Sequence, residues 1–120
     1  ICTQTLHLIY EIGEAVATLE RILKPGGVLL ATLPGISQIS RYDMERWGDR
    51  WRFTSISAHR LFVDVFGSGN VSIDTHGNVL AATAFLQGIS MEELTTNELD
   101  HHDPDYELVM TVRAVRGQRS

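Results

Sequence analysis

The side chains best suited to chemistry in this sequence are one early histidine and a cluster of aromatic and guanidinium groups. His7 has the side chain whose ordinary pKa lies nearest neutrality, so it could act as a general base toward a hydroxyl or amine. It could equally be a satisfied structural histidine at the start of a helix. Between residues 36 and 56, Arg41 and Arg52 alternate with Trp47 and Trp51, combining flat apolar surface with fork-shaped donors. Such a mixture suits a small molecule carrying a carboxylate, phosphate or sugar. The alternative is that the two tryptophans, four residues apart, pin the segment to the core. His76, on a turn beside Asn78, is a further candidate for the ligand-binding wall, provided the helix after it folds over the same mouth.

Other chemistries find little support. His59, His101 and His102 read as surface residues, and the adjacent pair lacks the i, i+4 spacing of helical metal ligands, so no metal site is expected. Cys2 stands alone, excluding an internal disulfide and reading as a small buried hydrophobe. A net charge of −5 disfavours nucleic acid and anionic lipid as partners. No apolar run approaches the roughly 20 residues of a membrane span. A cytoplasmic location is expected, and the acidic residues from Glu92 to Asp105 read as a solvated face.

These residues must be positioned by an alternating set of elements. From Glu11 to Leu23, apolar residues recur on one helical face, and Lys24-Pro25-Gly26-Gly27 ends the helix. Residues 28–33 form an unbroken apolar run of strand length, predicting a central parallel strand buried on both faces. Residues 36–56 are irregular, a functional excursion. A second helix is predicted from Ser57, with Ser55 or Ser57 as its N-cap, ending at Gly67. Residues 71–75 alternate as a half-exposed strand, and residues 79–87 form a helix closed by Gly88. Ser90-Met91-Glu92-Glu93 has the form of a capping box opening a short acidic helix. Residues 106–115 place Leu108, Met110, Val112 and Ala114 on one face of a final strand, and 117–120 read as a loose tail. Strand, helix, strand, helix, strand, helices and strand in that order predict an α/β fold with a partly parallel sheet.

Thr3-Gln4-Thr5-Leu6-His7-Leu8-Ile9, an amphipathic helix, and then Arg21-Ile22-Leu23-Lys24-Pro25-Gly26-Gly27-Val28-Leu29-Leu30 together resemble the second half of a class I S-adenosylmethionine-dependent methyltransferase. The stretches from Asp43 to Thr54 and from Gly77 to Ala82 are similar to a bacterial subgroup acting on small molecules. The resemblance implies that residues 1–116 are the C-terminal half of a three-layer Rossmann-like domain with an antiparallel final strand. It also implies that Thr3, Gln4 and Thr5, just past its fourth strand, line the S-adenosylmethionine pocket, unless they serve only local turn hydrogen bonds. His7 would be the imidazole nearest the transferred methyl group, and Arg41, Trp47, Trp51, Arg52 and His76 would face a small-molecule methyl acceptor. No Gly-x-Gly-x-Gly occurs among these residues; Gly67-Ser68-Gly69 follows a helix rather than a strand. Together with a start at Ile1, as if inside an element, this predicts a fragment with little cofactor affinity of its own. The alternatives are a non-catalytic piece that dimerises through an exposed sheet edge and half of a nicotinamide oxidoreductase. Against the last, Tyr10, Tyr42 and Tyr106 have no lysine at i+4.

Overall fold

A computed structural model describes residues 1–118; of the tail expected over 117–120, Arg119 and Ser120 lie outside the described residues. Cys2–Thr3 (β1) pairs in parallel with Val28–Pro34 (β2), joined by a crossover through the helix Ile12–Ile22 (α1). The last strand, Val109–Val115 (β4), inserts antiparallel between β2 and Val71–His76 (β3), giving the order β1-β2-β4-β3. The result is the expected α/β fold: a partly parallel sheet with an antiparallel final strand.

The registers Leu29↔Ala114, Ala31↔Val112 and Leu33↔Met110 stack alternate side chains on one face, because strand side chains repeat every two residues. That face is sealed by Val16 of α1 and by Ala58, Phe62 and Phe66 of the helix Ser55–Phe66 (α3). The opposite face is open among the described residues, with Val28 at 42% and Leu30 at 47% exposure. The expectation that this strand is buried on both faces therefore holds for one face only, since α1 and α3 pack on the same side of it.

Local signals account for most boundaries. The N-cap of α3 is Thr54 rather than Ser55 or Ser57; its hydroxyl accepts from the Ser57 backbone while the Ser57 hydroxyl accepts from the Thr54 N–H. Val79–Gln87 (α4) starts at Asn78 and stops at Gly88 in the left-handed conformation, as the sequence predicted. Ser90 caps only a single 3₁₀ turn without forming a capping box, and the short helix Thr96–Asp100 (α5) begins at a capping box formed by Thr95 and Glu98. Arg116 is buried and closes the far end: it pairs with Glu20 at 3.0 Å and donates to the Arg21 carbonyl at 2.8 Å and to the Leu23 carbonyl, satisfying the C-terminal carbonyls of α1.

Candidate functional site

The carboxyl ends of β1, β2 and β3 lie along one edge of the sheet, since β1 runs parallel to β2 and both β2 and β3 run against β4. In open α/β sheets this edge is where ligands bind. Gly35 directly follows β2, and any Cβ there would run into the Glu107 carbonyl, so this crossing of chains requires glycine.

At the β1 end, Gln4 takes φ 48, a left-handed conformation that costs a residue with a Cβ on the order of 1 kcal/mol. The turn is held by Thr32: Gln4 N–H donates to its carbonyl at 3.2 Å and to its hydroxyl at 3.1 Å, and the Gln4 amide donates to the same hydroxyl at 3.3 Å. Thr5 donates to the Thr3 carbonyl at 2.9 Å. Thr3, Gln4 and Thr5 are thus solvent-exposed at the carboxyl edge, and Gln4 and Thr5 also make the local turn bonds that formed the other reading of this segment.

The excursion after β2 folds back onto residues 4–10. The His7 carbonyl accepts from Arg50 N–H at 3.0 Å and Trp51 N–H at 3.1 Å, and the Trp51 indole donates to the Ile9 carbonyl at 2.9 Å. Trp51 also stacks on Tyr10 with ring centres 5.9 Å apart. Within the excursion, the short helix Arg41–Arg46 (α2) is capped by Ser40, whose own N–H donates to Asp49 at 3.0 Å. Asp49, with its side chain 1% exposed, takes two bonds from Arg52, at 2.6 and 2.8 Å. The Arg52 bond, reinforced by the Ser40 N–H, lowers the Asp49 carboxyl to a pKa of about 2.

This geometry separates the residues singled out in the sequence. The guanidinium of Arg52 also donates to the carbonyls of Ser37, Gln38 and Trp51, so its five N–H groups are all directed inward. The expectation that Arg52 grips a ligand therefore gives way to a structural role. His7 is 8% exposed; its Nε2 faces Asp49 at 4.0 Å, and its Nδ1 is buried without a hydrogen-bond partner among the described residues. Burial lowers its pKa below the ordinary 6.5, against the opposing pull of Asp49. Arg41 is exposed at the start of α2, and His76 stands at the other end of the edge, bonded to Thr111 at 3.0 Å. Three strand spacings, roughly 14 Å, separate His76 from β1, and α4 packs against α5 rather than over the mouth. His76 is therefore not brought to the same mouth.

What does come together is a groove of about 600 Å³ between Thr5, Leu8, Ile9 and Tyr10 on one side and Trp47 and Arg50 on the other. Trp47 is 56% exposed there, its outer edge met by Tyr42 with ring centres 6.0 Å apart. Arg50, Tyr10 and Asp49 were not singled out from the sequence. The Asp49–Arg52 spacing of three residues was a usable signal for a pair, whereas the return of the excursion onto His7 was not visible locally. Among the described residues, no group of three or more His, Cys, Asp or Glu side chains could hold a metal ion, and no helix is long and apolar enough to cross a membrane.

No protein-family model and no curated protein matches this chain. Among solved structures, it is similar to phosphoethanolamine N-methyltransferase 2 of Haemonchus contortus, determined in complex with phosphomonomethylethanolamine and S-adenosylhomocysteine. The likeness has a TM-score of 0.53 at 14% identity and covers 97% of this chain but 32% of that one. At that identity the likeness concerns the fold alone, and this chain spans about a third of the length of that one.

Proposed function

We propose that the chain forms the C-terminal half of the catalytic domain of an S-adenosylmethionine-dependent methyltransferase acting on a small-molecule acceptor, supplying the acceptor wall and part of the cofactor pocket. The observation that carries this reading is the groove at the carboxyl edge beside β1, in a fold shared with a methyltransferase. Thr3, Gln4 and Thr5 fit the cofactor's side of such a site, because they are exposed polar groups on a tightly held turn at the end of a parallel strand. The cofactor, when bound, supplies a methyl group already activated on a sulfonium, so the protein's work is alignment and exclusion of water. Leu8 and Tyr10 on one side of the groove and Trp47 on the other would exclude water and orient the acceptor. His7, neutral at pH 7 and turned toward Asp49, holds the excursion in place rather than removing the acceptor's proton.

The test has two arms. The 120 residues alone are expected to give no saturable heat with S-adenosylhomocysteine, and a longer polypeptide adding a Gly-rich strand–loop before β1 is expected to bind it and transfer labelled methyl groups. Micromolar binding by the 120 residues would sink the division of labour; absence of binding and transfer in the longer polypeptide would sink the activity.

A second reading, a non-catalytic interaction or oligomerisation piece, is favoured by α4 and the turn after it, where Val79, Phe85, Leu86, Ile89 and Met91 are exposed. Light scattering that shows a homodimer, joined through the sheet edge or this helix, would support it. A cytoplasmic location without nucleic-acid or membrane partners belongs to the methyltransferase reading.

A further inference from the structure

We infer that the groove between residues 5–10 and Trp47 selects ligands with a flat apolar body and an anionic group, and that Arg50 is the residue that receives the anion. This inference rests on the methyltransferase reading for what the ligand is, a methyl acceptor, but its chemistry follows from the groove alone. The lining is apolar or aromatic except for the Thr5 hydroxyl, which is turned to the Thr3 carbonyl, and the Arg50 guanidinium.

The other guanidiniums with defined partners in this half of the molecule or across the sheet are committed: Arg52 to Asp49, Arg60 to Asp64 and Arg116 to Glu20. Arg50 forms no ion pair among the described residues; its side chain makes one long hydrogen bond, to the Trp47 carbonyl at 3.5 Å. Its backbone, in contrast, is fixed by the bond to His7, so the side chain projects from a rigid point. A cation held this way, beside apolar walls that exclude water, pairs more strongly with a carboxylate or phosphate than one in open solvent.

The aromatic rings argue against the opposite class, an ammonium ligand in a cage of π faces. The Arg46 guanidinium already lies 3.4 Å from the centre of the Tyr42 ring, and that of Arg50 lies 5.9 Å from the centre of Tyr10. Tyr42 stands behind Trp47, outside the lining, so within the groove a ligand cation would meet the Arg50 charge beside Tyr10, whereas an anion would meet its complement.

The probes that read this are phenyl phosphate, benzoate and benzyl alcohol, titrated into the protein while tryptophan fluorescence and the shifts of the Thr5 and Trp47 amides are followed. One or both anions are expected to bind saturably and more weakly as salt rises; which one binds better separates phosphate from carboxylate recognition. Benzyl alcohol and the variant Arg50→Gln should each lose roughly tenfold or more in affinity, with Arg50→Lys in between. The melting temperature of Arg50→Gln should be nearly unchanged, since its side chain gives up only a long bond to the Trp47 carbonyl and a distant approach to the Tyr10 ring, and the Thr5 amide shifts check that the groove is intact. Equal binding of benzyl alcohol, unchanged affinity in Arg50→Gln, or no saturable binding of either anion would overturn the inference. None of the probes involves a methyl donor, so failure here and failure of methyl transfer are separate results.

Discussion

Two excursions leave the same edge of the sheet, residues 35–54 after β2 and residues 77–108 between β3 and β4, and they are held by different kinds of partner. The first sends its bonds outward to distant chain: the His7 and Ile9 carbonyls take donors from Arg50 and Trp51, the last pair lying 42 residues apart. The α4–α5 part of the second closes on itself through Asn78, whose amide donates to the Glu98 and His101 carbonyls at 2.8 and 2.7 Å and whose oxygen caps α4. Only its last residues reach the first excursion, where Gly35 and Ile36 N–H donate to the Leu108 and Glu107 carbonyls. A loop tied to another element must present a fixed surface between the two, and that surface is the groove. A loop tied to itself can place its polar groups well and still leave apolar side chains facing out, as α4 does. The site follows from the destination of each loop's hydrogen bonds more than from its composition.

The contrast is broken most severely at Asp49 and Asn78. Asp49→Ala leaves Arg52 without its carboxylate and Ser40 without its acceptor, which should cost about 3 kcal/mol, or roughly 10 °C of melting temperature. Asn78→Ala removes one cap and two carbonyl partners, for about 2 kcal/mol. Amide exchange separates them: the first substitution should deprotect residues 36–54 and leave α4 and α5 protected, and the second the reverse. Exchange that rises equally in both excursions after either change would show that they are one cooperative unit.

Acid sharpens the same comparison, because both titrating groups with structural roles lie in the first excursion's anchor. Asp49 has a pKa lowered from 3.8 to about 2, so its contribution, about 2 kcal/mol, is present above pH 4 and lost as pH falls from about 4 to 2. His7 has a folded pKa below 6.5, so the unfolded chain takes up protons that the folded chain resists, and stability declines as pH falls below 6.5. Denaturant unfolding at a series of pH values should show both steps. His7→Asn should remove the upper one while lowering the melting temperature at pH 7.5. A stability curve flat between pH 6.5 and 5 in the parent protein would show that His7 is free to protonate, and would revive it as a general base.

Periodicity made the scaffold legible and the anchor illegible. α1 was visible from a helical apolar pattern ended by Lys24-Pro25-Gly26-Gly27, and α4 from an apolar stretch closed by Gly88. The burial of β2 on one face was not visible, because an apolar run records what a strand can tolerate on each side and not which helices lie there. The capping-box pattern read at Ser90 gives only a 3₁₀ turn; at Leu94 the chain extends, and α5 starts afresh from the reciprocal box of Thr95 and Glu98. Arg52 drew attention as a ligand-gripping group because guanidinium chemistry is the same whether its partner is a substrate or Asp49. Only the tertiary return of residues 49–53 onto His7 and Pro34 decides between those uses.

The smallest expected effect on stability separates the two tryptophans, which composition treats as equivalent. Trp51 is 37% exposed, its indole N–H is bonded to Ile9 and one face is covered by Tyr10, so Trp51→Ala removes a hydrogen bond and a stack and should cost about 2 kcal/mol. Trp47 has no hydrogen bond from its indole N–H among the described residues and is 56% exposed, so Trp47→Ala should cost no more than about 0.5 kcal/mol. The order should reverse for ligand. In the methyl-transferring protein, Trp47→Ala should raise the acceptor's KM severalfold at constant cofactor affinity, because the ring forms the wall without supporting it. Trp51→Phe, which keeps the stack and loses the bond to Ile9, should leave that KM within about twofold and lower stability by about 1 kcal/mol. If Trp47→Ala instead lowered stability as much as Trp51→Ala, both rings would be anchors. The wall of the groove would then be the segment Thr5 to Tyr10 alone.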